Sequence, residues 1–315
     1  MGTPDFAAHS LRALAKNDQL AVTLVVCQAD KPRGRDPLPQ PPPVKLAALE
    51  LGLPVYQPRS LRKGDALEVV SAARPEAIVV AAYGKILPAA LLAVPPHGCL
   101  NVHASLLPEL RGASPIQWAI VQGLARTGVS IMRMDEGLDT GDVLATREVP
   151  IRPEDDAEAL HDRLMALGAD LLVPTLLDWV AGRLTPQPQD AARASYAPLL
   201  SRDSGRIDWT RPPVALRDLV RGLHPWPGSF TFLKGRMLKV FPQVEALAGC
   251  PGPPSVAPGT VLRVGSDGLE VACGGGSVRI REVQLEGRRR MPLAEFVHGR
   301  AVQEGDRLVS TPEEA

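Results

Sequence analysis

The densest run of chemically capable side chains is Asn101-Val102-His103-Ala104-Ser105-Leu106-Leu107-Pro108, followed by Arg111-Gly112 and then by Gly137-Leu138-Asp139-Thr140-Gly141-Asp142. An asparagine amide can donate to a developing oxyanion, and an imidazole moves protons near neutral pH. A carboxylate such as Asp139 can orient or charge-stabilise that imidazole, or position a water for proton transfer. Attack of an amine on a carbonyl needs these functions. No Ser or Cys lies in a nucleophile-elbow context, which favours direct transfer between two bound substrates over a covalent acyl-enzyme. Taken singly, a histidine at a strand end is more often a structural residue, and an aspartate in a glycine-rich turn more often a turn former.

An apolar strand over 98–102 must position the first pair. In an open parallel sheet, ligands lie outside the carboxyl ends of the strands, where this strand delivers Asn101 and His103. Alternation along an extended segment turns both residues to one side. Further apolar runs at 20–27, 77–82 and 129–134 alternate with helical patterns at 7–16, 44–52, 61–73, 115–123 and 154–180, the signature of an α/β half with a mostly parallel sheet. Residues 182–198 carry three prolines, two glutamines and no apolar period, and are read as a linker. Beyond it, short runs at 229–233, 238–241, 260–264, 268–272 and 278–283, separated by Gly, Pro and Asp turns, predict a small β-barrel. The expected domains are 1–182, a linker at 183–202, a barrel at 203–308 and a tail at 309–315.

The 315 residues suit about two domains. Thirty-five Lys and Arg balance thirty-five Asp and Glu, so whole-chain charge draws the protein to neither nucleic acid nor anionic membrane. From 205 to 308, however, fifteen basic residues face ten acidic ones. The even-handed alternative is a soluble surface. No apolar run approaches the ~18 to 20 residues of a membrane span, and residues 1–20 lack the layout of an export signal, so a cytoplasmic address is expected. Cys27, Cys99, Cys250 and Cys273 are scattered without Cys-x-x-Cys spacing, which supports buried thiols and no metal site.

The run from Asn101 through Asp142, with GTPDFA at 2–7, AAYGKILP at 81–88, RIDW at 206–209 and HPWPGSF at 224–230, closely resembles the methionyl-tRNA formyltransferases; Pro258-Gly259-Thr260 fits their barrel domain more weakly. The resemblance implies an open Rossmann-like sheet followed by an OB-like barrel. It implies transfer of the formyl group of 10-formyltetrahydrofolate to the amine of methionine esterified to initiator tRNA, without a metal, by a monomer. Asn101, His103 and Asp139 fall on the family's catalytic trio: Asn101 would polarise the formyl carbonyl, and His103 with Asp139 would manage protons. Ser105, Leu106, Leu107 and Pro108 fall on its folate segment, and Tyr83, Gly84, Ile86 and Leu87 are expected to line the pterin pocket. Phe6 is equally suited to a methionine pocket and to the core.

The resemblance also marks a proline-rich loop, where Arg33 and Arg35 would meet the tRNA acceptor stem, and Arg202 after the linker. Asp36-Pro37-Leu38 replaces the lysines that relatives commonly carry after that arginine, and Leu199 stands where they often have Lys. A formyltransferase acting on another amine, such as a nucleotide-linked amino sugar, would share the Asn, His and Asp machinery. A nicotinamide oxidoreductase is disfavoured because no G-x-G-x-x-G follows a first strand. Relatives place a short apolar strand before the Gly2-Thr3-Pro4 turn, so roughly five to ten further residues are expected upstream of Met1.

Overall fold

The computed structural model describes residues 1–33, 36–247, 256–298 and 301–312. Contacts divide the chain into two compact units, one of residues 1–115, 126–150 and 161–198, the other of residues 116–125, 151–160 and 199–315. The division is interleaved where the sequence suggested continuous blocks. Residues 183–198 pack with the first unit, because their backbone pairs with it: Tyr196 and Ala197 form parallel bridges to Arg111 and Gly112, and Val143 and Gln187 exchange both backbone hydrogen bonds at 2.9 Å.

The first unit is α/β. Among its strands are β1 (Val25–Val26), β2 (Val55–Tyr56), β3 (Ile78–Val80), β4 (Cys99–His103), β5 (Arg126–Arg133) and β6 (Val143–Pro150), and the proline-rich stretch forms a separate antiparallel pair of Lys31–Arg33 with Asp36–Gln40. β1 pairs with β2 in parallel, β3 with β4 in parallel, and β4-β5-β6 continue antiparallel. The four-stranded sheet β3-β4-β5-β6 is therefore mixed, and the β1-β2 pair is parallel. β4 lies between β3 and β5 and is buried along most of its length, which explains its apolar character. β6 has only one buried residue, so no apolar alternation announced it. Of the apolar run at 20–27, only Val25 and Val26 form a strand.

Helix Asp5–Ala15 buries Phe6, Ala7, Ser10, Leu11 and Leu14, a spacing of one helical face, and Asp5 in its first turn complements the helix dipole. Met1 and Gly2 lie between β1 and β3. The Gly2 amide donates to Val26, the Ala81 amide to Met1, and the Met1 amine to Val79. Beside them is a cavity of about 640 Å³, lined by Leu20, Leu24, Val70, Ile78, Leu176 and Val180 among others.

The second unit carries β7 (Ser229–Leu233), β8 (Arg236–Val240), β9 (Glu245–Leu247), β10 (Val261–Gly265), β11 (Gly268–Cys273), β12 (Gly276–Ile280), β13 (Glu282–Leu285), β14 (Met291–Pro292) and β15 (Leu308–Val309). They form two antiparallel sheets, ordered β14-β13-β8-β7-β15 and β9-β12-β11-β10. Side chains from both sheets share one core with Trp209, Leu216 and Leu219. The single strand expected at 278–283 is two strands, since the chain passes from one sheet to the other at Arg281. The expected tail at 309–315 begins inside β15, whose Val309 pairs with Phe232.

Candidate active site

β3 and β4 run parallel with Val80 opposite Asn101, so the segments leaving their carboxyl ends, 81–87 and 104–110, emerge at the same sheet edge. Asn101 lies in the middle of β4 and His103 ends it, and their partners across β5 are Met132 and Ser130. The chain then turns at Leu110 and Gly112, both left-handed, with φ 56° and 115°. A side chain at Gly112 would begin 2.8 Å from the Ala197 carbonyl oxygen, so the position needs glycine for space as well as for conformation.

Asp139 reaches the same point from the loop joining β5 to β6. It too is left-handed, φ 52°, a conformation that aspartate tolerates better than most residues but still at a cost. The loop is tight: a Cβ at Gly141 would be 1.8 Å from the Arg133 carbonyl oxygen, and Asp135 accepts from the Gly137 amide at 2.9 Å and the Thr140 hydroxyl at 2.7 Å.

Three segments thus converge on one carboxylate. Asp139 Oδ2 accepts from the Gly112 amide at 2.8 Å, Asp139 Oδ1 accepts from Asn101 Nδ2 at 3.3 Å, and Oδ2 lies 3.7 Å from His103 Nδ1. His103 is buried, and its Nε2 lies 3.0 Å from the Leu110 carbonyl oxygen. A carbonyl only accepts, so Nε2 carries a hydrogen and Nδ1 is the ring nitrogen left facing the carboxylate. The Asn101 amide has two N–H groups, of which one meets Asp139. A second donor remains for an oxyanion.

The segment expected to bind folate is a scaffold in its own right. Ser105 is wholly buried and its hydroxyl donates to Glu109 at 2.6 Å, while the Ser130 hydroxyl donates to the Ser105 carbonyl at 2.7 Å and accepts from the Leu107 amide at 3.1 Å. Leu107 and Pro108 are buried, and Leu106 is half-buried against Gly128. Of the second group, Tyr83 and Leu87 belong to the core with Val26, Val70 and Ile78, whereas Gly84 and Ile86 are exposed. The buried Tyr83 hydroxyl has no hydrogen-bond partner, and burial pushes its pKa up to about 12.

Phe6 is a core residue, buried and edge-on to the His161 ring at 5.8 Å between centroids. Arg202 is exposed in a short 3₁₀ turn. Arg35 and the side chain of Arg33 lie outside the described residues. Among the described residues, no three His, Cys, Asp or Glu side chains are grouped to hold a metal ion, and no helix is long and apolar enough to cross a membrane.

Sequence reasoning missed the backbone contributors, the Leu110 carbonyl and the Gly112 amide, and two side chains behind them, Arg111 and Gln189. Arg111 is buried and directs Nε and Nη2 to Gln189 Oε1 at 3.1 and 2.8 Å. Only the Arg111-Gly112 pair carried a local signal. Gln189 lies 78 residues away in a stretch without apolar pattern.

Residues 1–176 match the Formyl transferase family and residues 199–301 the Formyl transferase, C-terminal domain family. The chain is similar to the methionyl-tRNA formyltransferase of Geobacter sulfurreducens, 47% identical over 308 residues that cover 98% of this chain and 95% of the relative. Similarity to that of Myxococcus xanthus is 47% over 305 residues, 97% and 95% of the two chains. Among solved structures, the N-formyltransferase from Helicobacter canadensis in complex with folinic acid and dTDP-3-aminofucose superposes with a TM-score of 0.64 at 14% identity, covering 92% of this chain and 97% of the other. HypX from Aquifex aeolicus with tetrahydrofolic acid gives 0.59 at 18%, covering 89% and 47%. At these identities the two structures share the fold.

Proposed function

The chain belongs to the methionyl-tRNA formyltransferase family, and from that premise we propose that it moves the formyl group of 10-formyltetrahydrofolate to the amine of initiator methionyl-tRNA through Asn101, His103 and Asp139. The observation that carries the residue assignment is their convergence. Side chains 38 positions apart, Asn101 and Asp139, are in contact, and His103 Nδ1 faces the same carboxylate at 3.7 Å.

In this transfer a bond forms between the methionyl nitrogen and the formyl carbon, and the bond from that carbon to the folate nitrogen breaks. The carbonyl oxygen gains charge as the amine adds, and Asn101 Nδ2 supplies a fixed donor for it. The attacking nitrogen loses one proton and the departing nitrogen takes one. His103 Nδ1 handles that proton, since Nε2–H is committed to the Leu110 carbonyl. Asp139 stabilises the imidazolium and is itself held by the Gly112 amide. Exposed Ile86, on the segment that leaves β3 beside β4, and exposed Leu138, next to Asp139, offer apolar surface suited to a flat heteroaromatic ring. Ser105, Leu106, Leu107 and Pro108, on the segment that leaves the carboxyl end of β4, are assigned to folate binding with Tyr83, Gly84, Ile86 and Leu87.

The second unit is the part we assign to tRNA, with Arg202 and, from the proline-rich loop, Arg33 and Arg35 toward the acceptor stem. Its excess of basic residues supports phosphate contacts, whose strength falls steeply with salt. The catalytic unit takes in residues 183–198, the tRNA-binding unit runs from residue 199 and includes Val309, and the protein acts as a cytoplasmic monomer.

A side-by-side assay tests the acceptor. Charged initiator tRNA, charged elongator methionine tRNA, free methionine and a nucleotide-linked amino sugar are each offered with 10-formyltetrahydrofolate. Formylation of the initiator species foremost is the expected result; preference for the amino sugar would overturn the acceptor assignment while leaving the shared chemistry intact.

A further inference from the structure

Gln189 lies in the stretch 183–198, outside every element that carries the trio, and yet its amide is fully engaged beneath them. Oε1 accepts two hydrogen bonds from the Arg111 guanidinium, and Nε2 donates to the backbone carbonyls of Asp139 at 2.9 Å and Gly141 at 2.6 Å. The orientation of the amide is fixed by its partners, because a guanidinium can only donate and a carbonyl can only accept. Two acceptor and two donor sites are all that a glutamine side chain has. Every one is used.

The segments that Gln189 ties together are two of the three that meet at the Asp139 carboxylate. Arg111 precedes Gly112, whose amide holds Asp139 Oδ2, and the Asp139 carbonyl belongs to the residue in the left-handed conformation. The carboxylate of Asp139 is therefore anchored from the front by Gly112 and Asn101, and its backbone from behind by Gln189. A neighbouring serine extends the same scaffold: the Ser195 hydroxyl accepts from the Leu110 amide at 2.9 Å, and the Leu110 carbonyl is the partner of His103.

We infer that Gln189 is a positioning residue for formyl transfer, holding the Asp139 loop in register with residues 110–112. The inference rests on the catalytic role proposed for Asp139. A shift of about 1 Å in a reacting group costs on the order of a hundredfold in rate, and loss of an outer partner of a working side chain typically costs about 10- to 100-fold.

Glutamine is the type the site demands. Gln189→Glu keeps the shape and gives Arg111 a carboxylate, but it has no N–H for the two carbonyls and sets oxygen against oxygen. Gln189→Ala removes both sides of the bridge.

The test measures single-turnover formyl transfer to methionyl-tRNA in the full chain for Gln189→Ala, Gln189→Glu, Asp139→Ala and the double variant Gln189→Ala/Asp139→Ala, with dissociation constants for methionyl-tRNA and the folate donor. The expected result is about 10- to 100-fold slower transfer in both Gln189 variants, dissociation constants within about twofold of the parent, and no further slowing when Gln189→Ala is added to Asp139→Ala. Parent-like rates in the Gln189 variants beside a crippled Asp139→Ala would overturn this inference alone, as would losses that multiply in the double variant. A parent-like Asp139→Ala would overturn the role of Asp139 and the inference with it. If Gln189→Ala does not fold, Gln189→Glu, which alters one atom, carries the same comparison.

Discussion

Replacing Asp139 by Asn tests the site where its electrostatics and its hydrogen bonding coincide. The carboxylate lies 3.7 Å from His103 Nδ1 with both side chains largely buried. At an effective dielectric constant of about 20, a unit charge at that distance stabilises an imidazolium by about 4 kcal/mol, equivalent to roughly a thousandfold in rate. The substitution also changes the donor count. Asp139 accepts from the Gly112 amide with one oxygen and from Asn101 with the other, whereas an asparagine has one oxygen for both donors. One donor is left without a partner in a part-buried position, at a cost of about 1 to 3 kcal/mol. If the unpartnered donor is that of Asn101, its amide turns and the oxyanion contact is lost as well. Asp139→Asn should therefore fold, bind methionyl-tRNA and the folate donor as the parent does, and transfer formyl on the order of a thousandfold more slowly in a single turnover. A folded Asp139→Asn protein within about tenfold of the parent rate would refute the pairing of this carboxylate with His103.

Gly112→Ala forces a Cβ to 2.8 Å from the Ala197 carbonyl at φ 115°, so it should cost about 1 to 3 kcal/mol of stability in urea unfolding and slow transfer as the Gly112 amide leaves Asp139. In the second unit, the Thr231 hydroxyl accepts from Trp209 Nε1 at 3.0 Å and donates to the Val309 carbonyl at 2.9 Å; Thr231→Val should lower stability by about 1 to 3 kcal/mol through the buried indole N–H left unpaired. Burial pushes the Cys99 and Cys273 thiols up to about 11 from 9.0. A raised acid contributes stability that is whole below its unfolded pKa and is lost as pH climbs to the folded one, so stability should fall between about pH 9 and 11, and both thiols should resist alkylation at pH 8 until the chain unfolds.

What the sequence revealed follows from what burial writes into it. β4 is apolar because neighbours cover it, and its polar residues, Asn101 and His103, stood out against that background. Helix Asp5–Ala15 and strand Ser229–Leu233 were visible in their periodicity for the same reason. β6 escaped because it is mostly exposed. Residues 183–198 read as a linker because they attach through backbone ladders and polar side chains, Gln187 to Val143 and Gln189 to the Asp139 loop, and apolar periodicity does not register such contacts. The run at 278–283 concealed a change of sheet at Arg281, since both strands keep a buried face through the corner. At the site, Asn101 and His103 followed from alternation along one strand. Asp139 was a candidate by residue type but stood apart from them by 38 residues, and only family resemblance tied it to them, because convergence depends on left-handed turns at Leu110, Gly112 and Asp139 that side-chain type announces only at the glycine.

The most direct measurement is the single-turnover rate of formyl transfer from 10-formyltetrahydrofolate to initiator methionyl-tRNA in His103→Ala and Asn101→Ala, with both substrates saturating and binding measured separately. Loss of a proton-transfer group should slow His103→Ala by about 100- to 10,000-fold, and loss of an oxyanion donor should slow Asn101→Ala by about 100- to 1,000-fold, with dissociation constants near those of the parent. Near-parent transfer rates in either folded, saturated variant would contradict the assignment of the chemistry to this strand end.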